Sequence, residues 1–220
     1  FESILVGLLK NTWKFEPKLV DTYFVSTDPD GEKEEGKKEA NDEEEVEIAA
    51  LQEMGKRLHQ VASRRFTQIV KESLYQYERE FRSLRMLLFP EILDHLAFED
   101  RVLSRPGGSL LLVGDPGVGR RTATTLVCFM QKIQFYSPSV GMSYGLKQFR
   151  TDLKEVLRIA GVEGQRILMY IEDHMLVDDS LLEDVNSLLS AGEVPGLFTP
   201  QENEALIGPL KEAFAGDGRF

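Results

Sequence analysis

The sequence has a single cysteine, no basic excess and no long apolar run, and each shortage excludes a class of protein. Cys128 alone cannot build a disulfide framework, which fits a reducing compartment. Its neighbours in the sequence are apolar, which favours a packing role for its side chain. No run approaches the roughly 20 apolar residues of a membrane-spanning helix. Phe1–Leu9 lacks the basic start and the small-residue cleavage site of a signal peptide. The chain also begins without Met, which predicts a fragment of a longer protein.

Positive charge is scarce, and negative charge is concentrated in one segment. The net charge of −11 argues against a general nucleic-acid binder, which would need a basic surface. Asp28–Glu47 holds eleven acids against three lysines, a net −8, and no aromatic residue. We expect this segment to be disordered or a mobile surface insertion, a solvated loop being favoured over an acidic docking tail.

A glycine loop is the most informative feature that the sequence does have. Leu110–Val113 is a short apolar run that predicts a buried strand, and Thr122–Met130 predicts a helix. Gly114, Gly117 and Gly119 lie between them, in the strand–loop–helix order of a phosphate-binding P-loop. Glycines allow successive N–H groups to point inward, and the helix N-terminus adds a dipole that favours an anion.

The residues that follow the loop differ from the usual Lys and Ser/Thr pair. Arg120 and Arg121 stand there, and the planar guanidinium of Arg is no simple replacement for a compact ammonium. Thr122 comes one residue late, about 100° further around the helix than the hydroxyl that normally holds Mg²⁺. We therefore expect the loop to hold phosphate and to hold Mg²⁺ poorly. A glycine-rich turn without a ligand is the alternative.

A second apolar run ends in two acids. Ile167–Ile171 predicts a buried strand that delivers Glu172 and Asp173 at its carboxyl end, where ligands bind in open parallel sheets. This is the form of a Walker B strand, but the usual order is Asp then Glu. Water positioning depends on sub-ångström placement, so the reversed order predicts slow hydrolysis. Two solvated acids are the alternative, and His174 is expected at the surface because no second His or Cys lies at ligand spacing.

Apolar periodicity predicts the other elements of the chain. Near the start of the chain they are a short helix over Phe1–Leu9 and a helix end or strand over Leu19–Val25. From about Ile48 the pattern is helical, and a long amphipathic helix runs from Phe66 to Leu88, where Pro90 ends or kinks it. A further helix is predicted over Glu91–Leu103. After the glycine loop they are a strand over Ile133–Tyr136 and helices over Leu146–Ala160 and Leu181–Ser190. Alternating strands and helices predict a parallel sheet with crossover connections.

Several of these stretches resemble the fourth AAA+ module of a dynein heavy chain. They are Leu110–Arg121, Ser143–Lys154, Ala160–Gly164 and Asn186–Phe198, the last being the most specific. Tyr77–Phe81 and Leu87–Leu96 resemble the lead-in from the third module. The two arginines after the loop and the Glu-Asp order are most similar to the intraflagellar-transport class of cytoplasmic dynein. The likeness is strong over Lys71–Phe198.

The resemblance implies a fold class and a domain organisation. The fold is an α/β P-loop NTPase of the AAA+ type, a parallel sheet with flanking helices, incomplete at the C-terminus and preceded by a helical segment of the previous module. Residues 1–54 would end that previous module and carry the acidic insertion, 55–104 would form the helical lead-in, and 105–220 a partial nucleotide-binding subdomain. No sensor strand is recognisable after Asp173, so the sheet is expected to continue beyond Phe220.

The resemblance also implies a function: an ATP- or ADP-binding regulatory module, with weak or absent hydrolysis, in a six-module motor ring. The parent protein would be an ATPase that moves toward the minus end of microtubules and takes part in intraflagellar transport in cilia. It would be located in the cytoplasm, the cytoskeleton and the cilium. Its partners would be the neighbouring modules, other dynein subunits and the microtubule, without nucleic acid or membrane. Glu172 would take the Mg²⁺ position and Asp173 the catalytic one, while Leu88 and Phe89 would contact adenine. The phosphate-binding residues would be Gly114, Asp115, Pro116, Gly117, Val118, Gly119, Arg120, Arg121 and Thr122.

Two other functions are compatible with the sequence. The first is a structural ring segment with an empty pocket, in which Arg120 and Arg121 pair with acids of a neighbouring module. The second is an unrelated P-loop enzyme such as a kinase-like fold, for which no acceptor-site residues are found. Nucleotide occupancy distinguishes the first alternative, and further AAA+ modules on either side of this region would exclude the second.

Overall fold

The computed structural model describes residues 22–27, 55–141, 144–176 and 178–216. The chain divides into two compact units, Phe1–Gly108 and Ser109–Phe220, and each is described by itself. The predictions made for Phe1–Leu9, for the acidic segment Asp28–Glu47 and for residues 48–54 lie outside the described residues. Among the helices of the described part, none is long and apolar enough to cross a bilayer.

The described part of the first unit begins with two short paired strands. Strand β1, Thr22–Val25, runs antiparallel to β2, His59–Ala62, with Thr22 opposite Ala62 and Val25 opposite His59. β1 is one of the two states predicted for Leu19–Val25. β2 contradicts the helical pattern predicted from about Ile48. Its central Val61 is buried between exposed neighbours, which is the two-residue period of a half-buried strand.

Helix α1, Ser63–Glu80, buries Phe66, Ile69 and Val70, but the prediction that it reaches Leu88 is wrong. The Glu78 carboxylate accepts hydrogen bonds from the Ser83 hydroxyl, at 2.6 Å, and from the Leu84 N–H, at 3.1 Å. These local side-chain bonds offer the backbone an alternative to the next helical turn. The apolar spacing therefore continues past Glu80 in sequence while the helix does not.

Helix α2 is Pro90–Leu103, so the proline begins this helix and the role predicted for it is wrong. Pro90 does not end or kink a helix, since it is the first residue of α2, where its fixed φ suits the helix and its missing N–H costs nothing. The predicted helix over Glu91–Leu103 is confirmed. Asp94 accepts a hydrogen bond from the Tyr23 hydroxyl at 2.8 Å and Asp100 one from the Ser26 hydroxyl at 3.1 Å, so α2 holds the end of β1.

The second unit alternates helices and strands. The elements described in it are α3 Arg120–Gln131, β3 Gln134–Tyr136, α4 Leu146–Gly161, β4 Ile167–Met169, α5 Asp179–Ala191 and α6 Pro200–Gly216. β3 and β4 are parallel, with Gln134 opposite Ile167 and Tyr136 opposite Met169, and α4 is the crossover between them. The predicted parallel pair is confirmed. Helix α6 was not predicted.

The strand predicted at Leu110–Val113 is absent from the described residues. This segment precedes the glycine loop without pairing to β3 or β4, and the side chains of Leu111 and Val113 are 86% and 85% exposed. An apolar run has strand propensity, but a strand exists only where a neighbour accepts its backbone hydrogen bonds. The strand predicted over Ile167–Ile171 is likewise shorter, ending at Met169.

The core of the second unit fixes the end of β4. Phe149 and Leu153 of α4 are buried against Leu181 of α5 and against Val194 and Leu197, which follow that helix. Met169 and Ile171 pack on this cluster. The residues directly after β4, where the two acids lie, are thereby anchored to the core.

Candidate functional site

The glycine loop has the backbone conformation that its sequence predicts. Gly117 and Gly119 have φ of +88° and +87°, a region that residues with a side chain rarely adopt. Gly119 is the N-cap of α3, so the loop ends directly at the helix N-terminus. The first N–H groups of a helix have no carbonyl partner within it and carry the positive end of its dipole. Loop and helix together can therefore accept an anion.

Arg120 is the first residue of α3 and folds back on the segment before the loop. Its Nη1 donates a hydrogen bond to the Leu112 carbonyl at 3.3 Å. Two hydroxyls further along the helix are also engaged, because Thr124 donates to the Arg120 carbonyl at 3.0 Å and Thr125 to the Arg121 carbonyl at 2.7 Å. These bonds close the first turn of α3, and both hydroxyls face back along the helix.

Arg121 joins the two halves of the site. Its Nη1 lies 3.1 Å from Oε2 of Glu172, in an ion pair between the start of α3 and the end of the β4 segment. The Arg121 side chain is 49% exposed and that of Glu172 is 28% exposed. The sequence predicted the two elements to meet at one edge, and the structure adds that the guanidinium and the carboxylate are in direct contact.

Two aromatic rings hold the same guanidinium, and the sequence did not single them out. The Arg121 guanidinium carbon lies 5.7 Å from the ring centroid of Phe135 and 5.8 Å from that of Tyr170. The two rings are themselves 5.4 Å apart. Cation–π attraction favours this arrangement. The available signal was the placement of an aromatic residue near the end of each of the two predicted parallel strands.

The two acids occupy different surroundings. Glu172 is partly buried between Arg121 and His174, whose Nδ1 lies 3.9 Å from the same Oε2. Asp173 is exposed and begins a short 3-10 turn, Asp173–Met175. His174 is exposed, as predicted. The structure thus brings Glu172 into contact with Arg121 and leaves Asp173 facing solvent.

The donor groups present suit phosphate better than Mg²⁺. The loop packs closely on Gly114, because a Cβ added to this glycine would lie 3.3 Å from Cγ2 of Val118. Oxygen ligands are few: an arginine stands where a hydroxyl is usual, and the carboxylate of Glu172 is paired. Within the described ranges, no cluster of three or more His, Cys, Asp or Glu residues could hold a metal ion.

Leu88 and Phe89 lie in the other unit, at the end of the segment between α1 and α2. Phe89 is the N-cap of α2 and is half-exposed, while Leu88 is partly buried. Their assignment to an adenine contact stays a prediction, as do the individual roles of the phosphate-binding residues 114–122.

Comparison with known proteins identifies a family. Residues 84–218 match the family model of the P-loop containing dynein motor region D4. The chain is 53% identical to cytoplasmic dynein 2 heavy chain 1 of Chlamydomonas reinhardtii over 148 aligned residues. These residues make up 67% of this chain and 3% of that protein. It is 41% identical to the Rattus norvegicus protein of the same name and 39% to the Homo sapiens one, in both cases over all of this chain and 5% of the relative.

Proposed function

Because this chain belongs to the family of the P-loop containing dynein motor region D4, we propose that it is a regulatory AAA+ module that binds ATP or ADP. The chain spans 3–5% of the relatives named above, so the activity of the whole motor is part of the proposal. The observation that carries it is the glycine loop, whose two positive-φ glycines lead directly into the N-terminus of α3.

Phosphate binding would use the backbone of the loop and the two arginines behind it. The N–H groups of residues 114–122 would surround the phosphates, and the start of α3 would favour their charge. Arg120 and Arg121 add two cations to this end of the helix. Guanidinium groups form bidentate, charge-assisted hydrogen bonds with phosphate. This chemistry supports phosphate binding by arginines that stand in place of the usual Lys and Ser/Thr.

Hydrolysis at this site would be slow or absent. Asp173, at the position of the catalytic acid, is exposed, and its carboxylate is one methylene shorter than the usual Glu. A general base must be held within hydrogen-bond reach of the attacking water, and small displacements cost large factors in rate. Glu172, at the Mg²⁺ position, is paired with Arg121, which supports weak retention of the ion.

The proposed setting is a motor ring in the intraflagellar-transport class of cytoplasmic dynein. Neighbouring AAA+ modules of the same heavy chain would flank this one, and the main hydrolytic cycle would run elsewhere in the ring. Through the parent protein, other dynein subunits and the microtubule would be partners, in cytoplasm and cilium. Relatives named cytoplasmic dynein 2 heavy chain support this setting.

A structural module with an empty pocket is the second candidate. Both arginines at the start of α3 already have partners within the chain, Arg120 at the Leu112 carbonyl and Arg121 at Glu172. In this case the pair would stabilise the unit in place of phosphate, and nucleotide would never enter.

The nucleotide content of the motor domain that carries this region distinguishes the two candidates. ATP and ADP would be released by denaturation and counted for the wild type and for Gly119→Asp, whose carboxylate would enter and repel the phosphate site. We expect the variant to lose about one nucleotide per motor domain, because the helix N-terminus no longer accepts an anion.

The control must match the backbone strain of this substitution, because Gly119 has φ of +87°. Gly164→Asp does so: Gly164 has φ of +64°, and a Cβ there would meet no atom within 4 Å. The control variant should keep the wild-type count. An equal count in all three proteins would reject the nucleotide site and support the structural module.

A further inference from the structure

We infer that the guanidinium of Arg121 replaces the divalent cation at this site, so that the loop binds nucleotide without Mg²⁺. The inference rests on the proposed function, because it concerns the same phosphate site. Nη1 of Arg121 and Oε2 of Glu172 form an ion pair, 3.1 Å apart. The position that normally supplies a metal-binding hydroxyl here carries a fixed positive charge, directed at the acid that would otherwise help to hold the metal.

The guanidinium of Arg121 has three neighbours that restrain it. Glu172 contacts one terminal nitrogen, and the rings of Phe135 and Tyr170 lie 5.7 and 5.8 Å from the guanidinium carbon. A side chain restrained in this way loses less entropy when a ligand arrives. Arg also keeps its charge at any physiological pH and has five N–H donors, so its ion pair with Glu172 leaves donors for a phosphate oxygen.

The pair also removes an electrostatic obstacle. A carboxylate that shares a site with phosphate groups repels them unless a cation lies between. In the described part of this chain, no group of three or more His, Cys, Asp or Glu residues is placed to hold a metal ion by itself. Arg121 neutralises Glu172 without recruiting an ion from solution. The carboxylate is therefore compatible with a bound polyphosphate even when Mg²⁺ is removed.

The experiment measures bound nucleotide in the intact motor domain, with ADP supplied either with MgCl2 or with excess EDTA. The difference between wild type and Gly119→Asp isolates this site, because other sites in the ring respond to EDTA equally in both proteins. We expect the difference to persist in EDTA at about one nucleotide per motor domain.

Two substitutions then test the arginine. Arg121→Ser restores a hydroxyl and removes the cation that pairs with Glu172. This variant should retain its nucleotide with MgCl2, whereas its affinity for ADP should fall about ten- to a hundredfold in EDTA. Arg121→Lys keeps a cation and should retain EDTA resistance. Arg79→Ser is the matched control, since Arg79 also lies over an aromatic ring, that of Tyr75, but on α1. It should behave as the wild type.

The outcomes separate the two proposals. If Gly119→Asp loses no nucleotide in MgCl2, the proposed function fails and this inference fails with it. If the wild-type difference is present in MgCl2 and absent in EDTA, the site binds nucleotide but needs the metal, and only the inference is overturned. EDTA resistance that survives Arg121→Ser also overturns it. If Arg121→Ser loses nucleotide in both buffers, retention by Arg121→Lys supports the inference, and loss from both variants overturns it.

Discussion

The carboxylate of Glu202 combines a helix cap with a long-range ion pair. It accepts a hydrogen bond from the Thr199 N–H at 2.8 Å, while the Thr199 hydroxyl accepts one from the Glu202 N–H at 3.2 Å. This is a reciprocal capping box at the start of α6. Nζ of Lys154, on α4, lies 2.7 Å from Oε1 of the same carboxylate. The Lys154 hydrogen bond, followed by the Thr199 N–H, lowers the pKa of Glu202 to about 2.

Lowering the pH should therefore loosen the start of α6. A carboxyl whose pKa is depressed by folding stabilises the folded state above its unfolded value of 4.5, and this stabilisation is lost as the pH falls toward 2. Amide hydrogen exchange of the motor domain that carries this region, corrected for intrinsic rates, should show faster opening over residues 199–203 at pH 3 than at pH 6. Glu202→Gln should abolish the difference and Glu204→Gln, two residues along α6, should not. A pH-independent opening in the wild type would contradict the prediction.

Helices α4 and α5 are joined by a bidentate ion pair. Nε of Arg150 lies 2.7 Å from Oδ2 of Asp184, and Nη2 lies 2.9 Å from Oδ1. The Asp184 side chain is 8% exposed and that of Arg150 is 36% exposed. Removing one partner leaves a nearly buried charge without compensation, which costs more than the pair itself contributes. The contact between the two helices therefore depends on both residues.

Arg150→Ala should destabilise the α4–α5 contact by about 1–3 kcal/mol, a value reduced because Arg150 is partly exposed. The double variant Arg150→Met with Asp184→Leu should recover most of that loss by removing the buried charge. Local opening free energies from hydrogen exchange of the motor domain would measure both. Arg158→Ala is the control on α4, since its partners Glu155 and Glu163 are exposed, and it should change little. Equal effects of Arg150→Ala and Arg158→Ala would reject the argument.

At the scale of the whole molecule, residues 110–113 have no paired strand in the part of the chain that the structure describes. Leu111 and Val113 alternate with less exposed neighbours, as on one face of a strand, and are more than four-fifths exposed. Backbone groups without a strand beside them, and apolar side chains in water, are the features that lead sheet edges to associate. The sequence pattern and the exposure here point to the same weakness.

The isolated 220-residue chain should therefore self-associate. Leu111→Lys with Val113→Lys should shift its elution toward the monomer, because charge on an open edge opposes pairing. Size-exclusion chromatography with light scattering would measure this shift. Leu182→Lys with Leu189→Lys provides the control, since these leucines of α5 are also exposed. A wild-type chain that stays a soluble monomer and unfolds cooperatively would refute the prediction.

Elements whose signal is local were predictable from the sequence. Periodic apolar residues gave helices α2, α3, α4 and α5, and the run at Ile167 gave the strand that pairs with β3. The glycine spacing gave the loop conformation at the N-terminus of α3. The family resemblance of the region is confirmed by the match over residues 84–218. For the helices, the strand segment and the loop, the residues that determine the feature are neighbours in the chain.

Features that depend on distant residues were decided only in three dimensions. The run at 110–113 has strand character, but no described strand pairs with it. The helix predicted to Leu88 ends at Glu80 for a local reason instead, because Glu78 bonds to Ser83 and Leu84. The sequence by itself determined a glycine loop at the start of a helix and two acids shortly after a parallel strand. The tertiary structure decided that Arg121 would contact Glu172 and lie near the rings of Phe135 and Tyr170, because only folding brings residues 51 positions apart within hydrogen-bond distance.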